Sequence, residues 1–97
     1  MNVIFLPPSD QELIEAIEFY ELQLPGLGHT FTKEIFETLE FIQQFPDGWQ
    51  KVGRHTHKCP LRKFPYIILY IVEEAQIVVT AIAHQHRRPS SYLDRNY

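Results

Sequence analysis

Two apolar, strand-forming runs with four residues between them constrain this chain more than any other feature. Residues 66–72 read Tyr-Ile-Ile-Leu-Tyr-Ile-Val, and residues 77–83 read Ile-Val-Val-Thr-Ala-Ile-Ala. Aromatic and β-branched residues of this kind fit a pleated, buried surface. The linker Glu73-Glu74-Ala75-Gln76 has the length of a tight hairpin. Near-continuous apolar character marks both as central strands, with one face under other elements and the second partly covered. A hairpin sets the start of its first strand beside the end of its second. Here Leu61-Arg62-Lys63-Phe64-Pro65 leads into the first run, and His84-Gln85-His86-Arg87-Arg88-Pro89, Tyr92 and Arg95 follow the second. Arg62 is therefore expected near His84 and Arg87.

The rest of the chain supplies the cover. Residues 2–6 read as a short strand closed by Pro7-Pro8. Ser9-Asp10-Gln11-Glu12 matches a capping box, in which the Ser9 side chain accepts from the Glu12 amide and the Glu12 side chain reaches back. Leu13, Ile17, Tyr20 and Leu24 then recur at helical spacing. Pro25-Gly26-Leu27-Gly28 ends that helix and reads as a helix-hairpin turn. A second helical pattern runs through Phe31, Ile35, Leu39, Ile42 and Phe45 until Pro46-Asp47-Gly48 stops it. Residues 52–62 are polar and read as an edge strand or loop, the edge being favoured because Pro60 cannot donate to a central ladder. The expected fold class is α+β, in the order β-α-α-β-β-β, with a helical hairpin packed on a small, mostly antiparallel sheet. Leu13, Ile17 and Tyr20 should meet Phe31, Ile35, Leu39 and Ile42 over one face of that sheet.

Length sets a single domain over residues 1–97. Cys59 is the only cysteine, so no internal disulfide forms, which fits a reducing compartment. The first residues lack a basic stretch before their apolar run. No run approaches the roughly 20 apolar residues of a membrane helix. A soluble, cytoplasmic protein without a membrane partner is expected. The net charge of −3 hides a split. Residues 1–50 carry nine acids and one base, Lys33, whereas residues 51–97 carry eight bases and three acids. Such asymmetry marks either one face that attracts an acidic partner or nucleic acid, or acidic helices balancing basic strands.

Arg62, His84, Arg87 and Tyr92 form the candidate catalytic group. RNA cleavage through the 2′-hydroxyl needs a proton acceptor, cationic donors for the phosphate and a donor for the leaving oxygen. Arginine binds phosphate through two parallel hydrogen bonds, histidine exchanges protons near neutral pH, and tyrosine stacks on bases. The alternative is that the arginines are solvated strand-end charges and His84 caps the sheet. His55-Thr56-His57 and His84-Gln85-His86 each place two imidazoles on one side of a strand, but no carboxylate is spaced to complete a metal site. No cofactor or metal is expected. Cys59 reads as an inert packing thiol. Phe64, Tyr66 and Tyr70 read as core aromatics before they read as a base-stacking platform.

The chain resembles the RelE/ParE superfamily of toxins from type II toxin–antitoxin systems, also called plasmid-stabilisation proteins. The resemblance rests on Glu15-Ala16-x-x-Phe19-Tyr20-Glu21, Pro25-Gly26-Leu27-Gly28-x-x-Phe31, Phe45-Pro46 and Arg62-x-Phe64-Pro65-Tyr66-x-Ile68-x-Tyr70. It closes on Ala81-Ile82-x-His84-x-x-Arg87-x-Pro89-x-x-Tyr92-x-x-Arg95. It implies the same strand-helix-helix-three-strand layout and a toxin held inactive by a cognate antitoxin. It implies one of two targets: DNA gyrase for ParE-like members, or messenger RNA on the ribosome for RelE-like endoribonucleases, which act without a metal. By position, Arg62 and Arg87 look like phosphate-contacting arginines, His84 like a catalytic histidine, and Tyr92 like a base-stacking aromatic. An inactive relative kept as a binding module is a third class. Two departures bear on the choice. RNA-cleaving relatives are usually strongly basic, and some use a glutamate base on the second strand, where residues 51–72 hold no carboxylate. The Pro25–Gly28 turn and the Phe64-Pro65-Tyr66 strand entry look more like the ParE branch.

Overall fold

The computed structural model describes residues 1–93. Arg95, which closes the sequence motif, lies outside the described residues. Five strands form one sheet: β1 (Asn2–Phe5), β2 (Gln50–Lys51), β3 (Thr56–Pro60), β4 (Tyr66–Glu73) and β5 (Gln76–His84), in the order β1-β5-β4-β3-β2. Helices α1 (Ser9–Gln23) and α2 (Leu27–Gln44) cover one face. A last turn of helix, α3 (Ser90–Leu93), follows β5. The β4–β5 hairpin is antiparallel, with Glu74 at a φ of 54° in its two-residue turn, while β1 runs parallel to β5. This is the expected α+β layout with two short elements added.

The sheet has an apolar side under the helices and a second, smaller one behind. Phe31, Ile35, Leu39 and Ile42 of α2 are buried against Cys59, Ile68, Tyr70, Ile77, Val79 and Ile82. On α1 the buried apolar position is Ala16, and the larger Leu13, Ile17 and Tyr20 pack only partly against the core. Leu24 and Phe45 fit the helical spacing but lie just past the helix ends and are exposed. A β-bulge keeps β5 in phase with this layering. Leu69 pairs with Ala81 and Tyr70 with Val79, which makes Thr80 the extra residue of the bulge. Ile77 and Val79 before the bulge and Ile82 after it therefore share the helix side, although their positions differ in parity.

Two sequence expectations are corrected. Strand β3 is not the edge: β2 pairs with it through Gln50↔Lys58 and Lys51↔His57. Pro60 is tolerated because it is the last residue of β3, beyond that pairing. The capping box does not form, since α1 has no side-chain cap bond. Strand β1 pairs with β5 only as far as Val79, so backbone groups on this side of the later β5 need other partners. Ser9, fully buried, lies with its hydroxyl 2.6 Å from the Leu6 carbonyl and 3.0 Å from that of Val79. Glu12 turns to the Ile82 amide instead of back to its own helix. A buried main-chain group without a partner costs about 1–3 kcal/mol, against about 0.5–2 kcal/mol for a lost cap, so the tertiary demand wins.

The helical hairpin is fastened at its turn. Gly26, at φ 92°, needs the conformational freedom of glycine. The Glu21 carboxylate accepts from the Gly26 amide at 3.0 Å and the Gly28 amide at 3.1 Å, serving the first amides of α2. At Gly28 the helices touch: a Cβ there would lie 2.9 Å from the Ile17 carbonyl oxygen. At the other end of α2, the Tyr70 hydroxyl donates to the Pro46 carbonyl at 2.6 Å. His57, stacked on Tyr70 at 5.0 Å, donates from Nδ1 to the Trp49 carbonyl at 3.0 Å. Buried His57 is thus a clamp on the loop after α2.

Candidate functional site

The site is built where β4 begins and β5 ends. Tyr66 and His84 are direct partners across the ladder, and the Gln85 amide extends the pairing by donating to the Pro65 carbonyl at 2.8 Å. The chain then turns sharply, with the Arg87 amide donating to the His84 carbonyl at 2.9 Å. This turn brings Arg87 back to α1. Its guanidinium meets Glu12 Oε2 at 2.8 Å, and Oε1 of the same carboxylate accepts from the Ile82 amide at 3.1 Å. The Glu12 side chain is 10% exposed and that of Arg87 41%. Glu12 is therefore an internal counter-ion that couples the start of α1 to the end of β5.

Aromatic rings fill the space beside this pair. Tyr20 contacts Phe19, Phe31, Phe64 and Tyr66, with ring centroids 4.8 to 6.0 Å apart. The His84 ring meets Tyr66 edge-on at 5.3 Å and lies 5.2 Å from His86. Burial pushes the Tyr66 hydroxyl above its usual titration range, with the Arg87 charge pulling partly the other way. Burial, and then the Tyr66 charge, raise that of Tyr20. Both phenols stay neutral donors at physiological pH.

The geometry fixes the tautomer of His84. Its Nδ1 lies 3.1 Å from the His86 amide, which donates to it. In neutral His84 the proton is therefore on Nε2, and that nitrogen is a donor. A histidine acting as general base needs an unshared ring nitrogen, and here the only bare one already accepts from the main chain.

The other two residues of the sequence-derived group have different neighbours. Glu34 of α2 accepts from the Arg62 amide and from the Lys63 amide at 3.1 Å, which draws the β3–β4 loop onto α2. Arg62 consequently lines a groove beside α2 with His29, Lys33 and Phe41. Tyr92 is buried behind the sheet, packed with Ile67, Leu69, Ala81 and Ala83. His84 and Arg87 are thus brought together with Tyr66, whereas Arg62 goes to α2 and Tyr92 to the opposite face. Sequence reasoning missed Glu12, Glu34 and Tyr20 as organisers. Glu12 looked like a cap, and Glu34 is one of several acids on a helix surface. Cys59 is buried, and burial pushes its thiol up to about 12, so it stays protonated.

The layout is that of the RelE/ParE superfamily. A chain described as "Chromosomal ParDE TA system from P. aeruginosa" superposes with a TM-score of 0.75 at 16% identity, covering 87% of this chain and 95% of that one. The family described as "ParE toxin of type II toxin-antitoxin system, parDE" matches residues 3–89, and this chain belongs to it. No curated protein matches the chain. Among the described residues, no helix is long and apolar enough to cross a membrane.

Proposed function

We propose that this protein is the toxin of a type II toxin–antitoxin pair, neutralised by a cognate antitoxin, and that it acts by binding DNA gyrase rather than by cutting RNA. Family membership supports the first part. One observation carries the second: the Arg87 guanidinium is held at 2.8 Å by the Glu12 carboxylate. A phosphate there would have to compete with the Glu12 carboxylate for the guanidinium and lie close to its negative charge. The remaining geometry agrees. The Nδ1 of His84 is taken, Tyr92 is buried on the far face, and Arg62 sits against α2. What this end of the molecule offers is a surface of aromatic rings, donor hydroxyls and a braced arginine. Such surfaces anchor protein contacts, where Tyr and Arg carry much of the binding energy.

The test is a supercoiling assay with purified gyrase and antitoxin-free protein. The proposal expects dose-dependent inhibition that is lost on adding the antitoxin encoded beside the toxin. Unimpaired supercoiling with protein shown to be folded would overturn the gyrase assignment. Ribosome-dependent RNA cleavage would replace it with the nuclease reading, and neither activity would favour an inactive binding module.

A further inference from the structure

The side-chain groups left over at the Tyr66–Arg87 site are hydrogen-bond donors. Arg87 gives Nη1 to Glu12 and keeps the rest of its guanidinium. Neutral His84, with Nδ1 taken by the His86 amide, presents its Nε2–H. Tyr20 and Tyr66 keep their phenolic protons. Among the described residues, neither phenol nor the His84 Nε2 has a hydrogen-bond partner, and none of the three is sealed from solvent. The four residues are neighbours. Tyr66 pairs with His84 across the ladder and lies 6.0 Å from Tyr20, ring to ring, and the Arg87 charge acts on its hydroxyl.

The charge at this group is already balanced. Both oxygens of Glu12 are engaged, one by Arg87 and one by the Ile82 amide. A lysine or arginine of a partner therefore gains no free oxygen from Glu12. A carboxylate or phosphate has to share the guanidinium with Glu12. Uncharged acceptors fit best, and main-chain carbonyls are the commonest of these. An open strand edge alternates N–H with C=O and would set donors against donors. The last turn of an α-helix offers only carbonyls: its final four lack partners within the helix. Together they carry roughly half a negative charge, which suits the exposed Arg88 beside the group. Phe19, 53% exposed and 5.2 Å from Tyr20 ring to ring, adds an apolar contact beside these donors.

We infer, resting on the gyrase reading above, that this group receives the C-terminal turn of a helix in the target. The carbonyls of that turn accept from Arg87, His84, Tyr66 and Tyr20, and an apolar side chain of the same helix packs on Phe19. The Glu12 contact holds Arg87 in place before the partner arrives, so less ordering is needed on binding. Binding of this kind depends on hydrogen bonds and apolar burial more than on net charge. Salt therefore weakens it little.

The test measures the affinity of the full-length protein for purified gyrase, with Tyr66→Phe and the double variant Tyr66→Phe, Tyr20→Phe beside the wild type. Each substitution removes only a hydroxyl that reaches solvent, so the fold is kept, checked by circular dichroism. Tyr66→Phe should weaken binding by about three- to tenfold, the value of one hydrogen bond, and the double variant further. Raising salt from about 0.05 to about 0.5 M should change the wild-type affinity by less than about threefold. A photoreactive phenylalanine analogue in place of Leu22, 86% exposed and one turn along α1 from Phe19, then marks the gyrase segment alongside. The expected cross-link is to the last turn of a gyrase helix. A cross-link to a strand, or to the start or middle of a helix, would overturn the inference, as would no cross-link from the bound complex. Full affinity in the tyrosine variants, or a steep loss with salt, would also overturn it while leaving the gyrase reading intact. No binding by the folded wild type would remove both together.

Discussion

The carboxylate of Glu12 and the guanidinium of Arg87, separated by 75 positions in sequence, meet at 2.8 Å. The other oxygen of Glu12 takes the Ile82 amide at 3.1 Å. One side chain thus takes a backbone amide of β5 beyond the reach of β1 and pairs with the arginine of the candidate site.

Glu12→Ala should destabilise the fold by about 1–3 kcal/mol, chiefly by stranding the Ile82 amide. Arg87→Ala should cost less, about 1 kcal/mol or below, because the guanidinium is substantially solvated. Glu12→Gln keeps an acceptor for Ile82 and should fall between them. Urea unfolding followed by circular dichroism measures all three. Equal losses for Glu12→Ala and Arg87→Ala would mean that the ion pair, not the amide, is the stabilising contact.

Gly28→Ala places a methyl group 2.9 Å from the Ile17 carbonyl oxygen. Backbone cannot swing aside, so the two helices must separate. The expected loss is about 1–3 kcal/mol, the range for overpacking a close contact, despite the better helix propensity of alanine. A melting temperature equal to or above the wild type would show that the hairpin has slack.

Cys59 gives the stability a pH dependence. Its thiol titrates at about 12 in the fold, above the ordinary value of 9.0, because burial disfavours the thiolate. Stability from keeping the thiol neutral is complete below pH 9 and is lost as pH rises towards 12. Between those limits the unfolded chain releases a proton that the folded chain retains, a slope of about 1.4 kcal/mol per pH unit for one group. Urea midpoints at pH 8 to 10 should fall less steeply for Cys59→Ala than for the wild type. Parallel curves would remove Cys59 as the cause. Tyr70, also raised by burial, adds its own loss only at higher pH.

The fold was legible because its signals are local. The two apolar runs, the prolines and glycines at the turns, and the spacing of Phe31, Ile35, Leu39 and Ile42 each specify an element or a buried face without reference to distant residues. The site was legible only in part. A hairpin sets the start of β4 beside the end of β5, so Tyr66 could be expected near His84, but their direct pairing depends on the bulge at Thr80. The destination of Arg62 could not, because it depends on Glu34, 28 positions away, capturing a loop amide. Nor could the Thr80 bulge, which resets which side of β5 faces the helices. Glu12 failed for the same reason: its sequence context describes a cap, while its partner is decided by how far β1 extends.

On the proposed function, this surface binds a protein target and does not cut RNA. The most direct measurement is mapping of messenger RNA ends on programmed ribosomes incubated with antitoxin-free protein, at concentrations that block gyrase supercoiling. RNA ends identical to those without the protein are expected, together with inhibited supercoiling. New ribosome-dependent ends that disappear with Arg87→Ala or His84→Ala would contradict it.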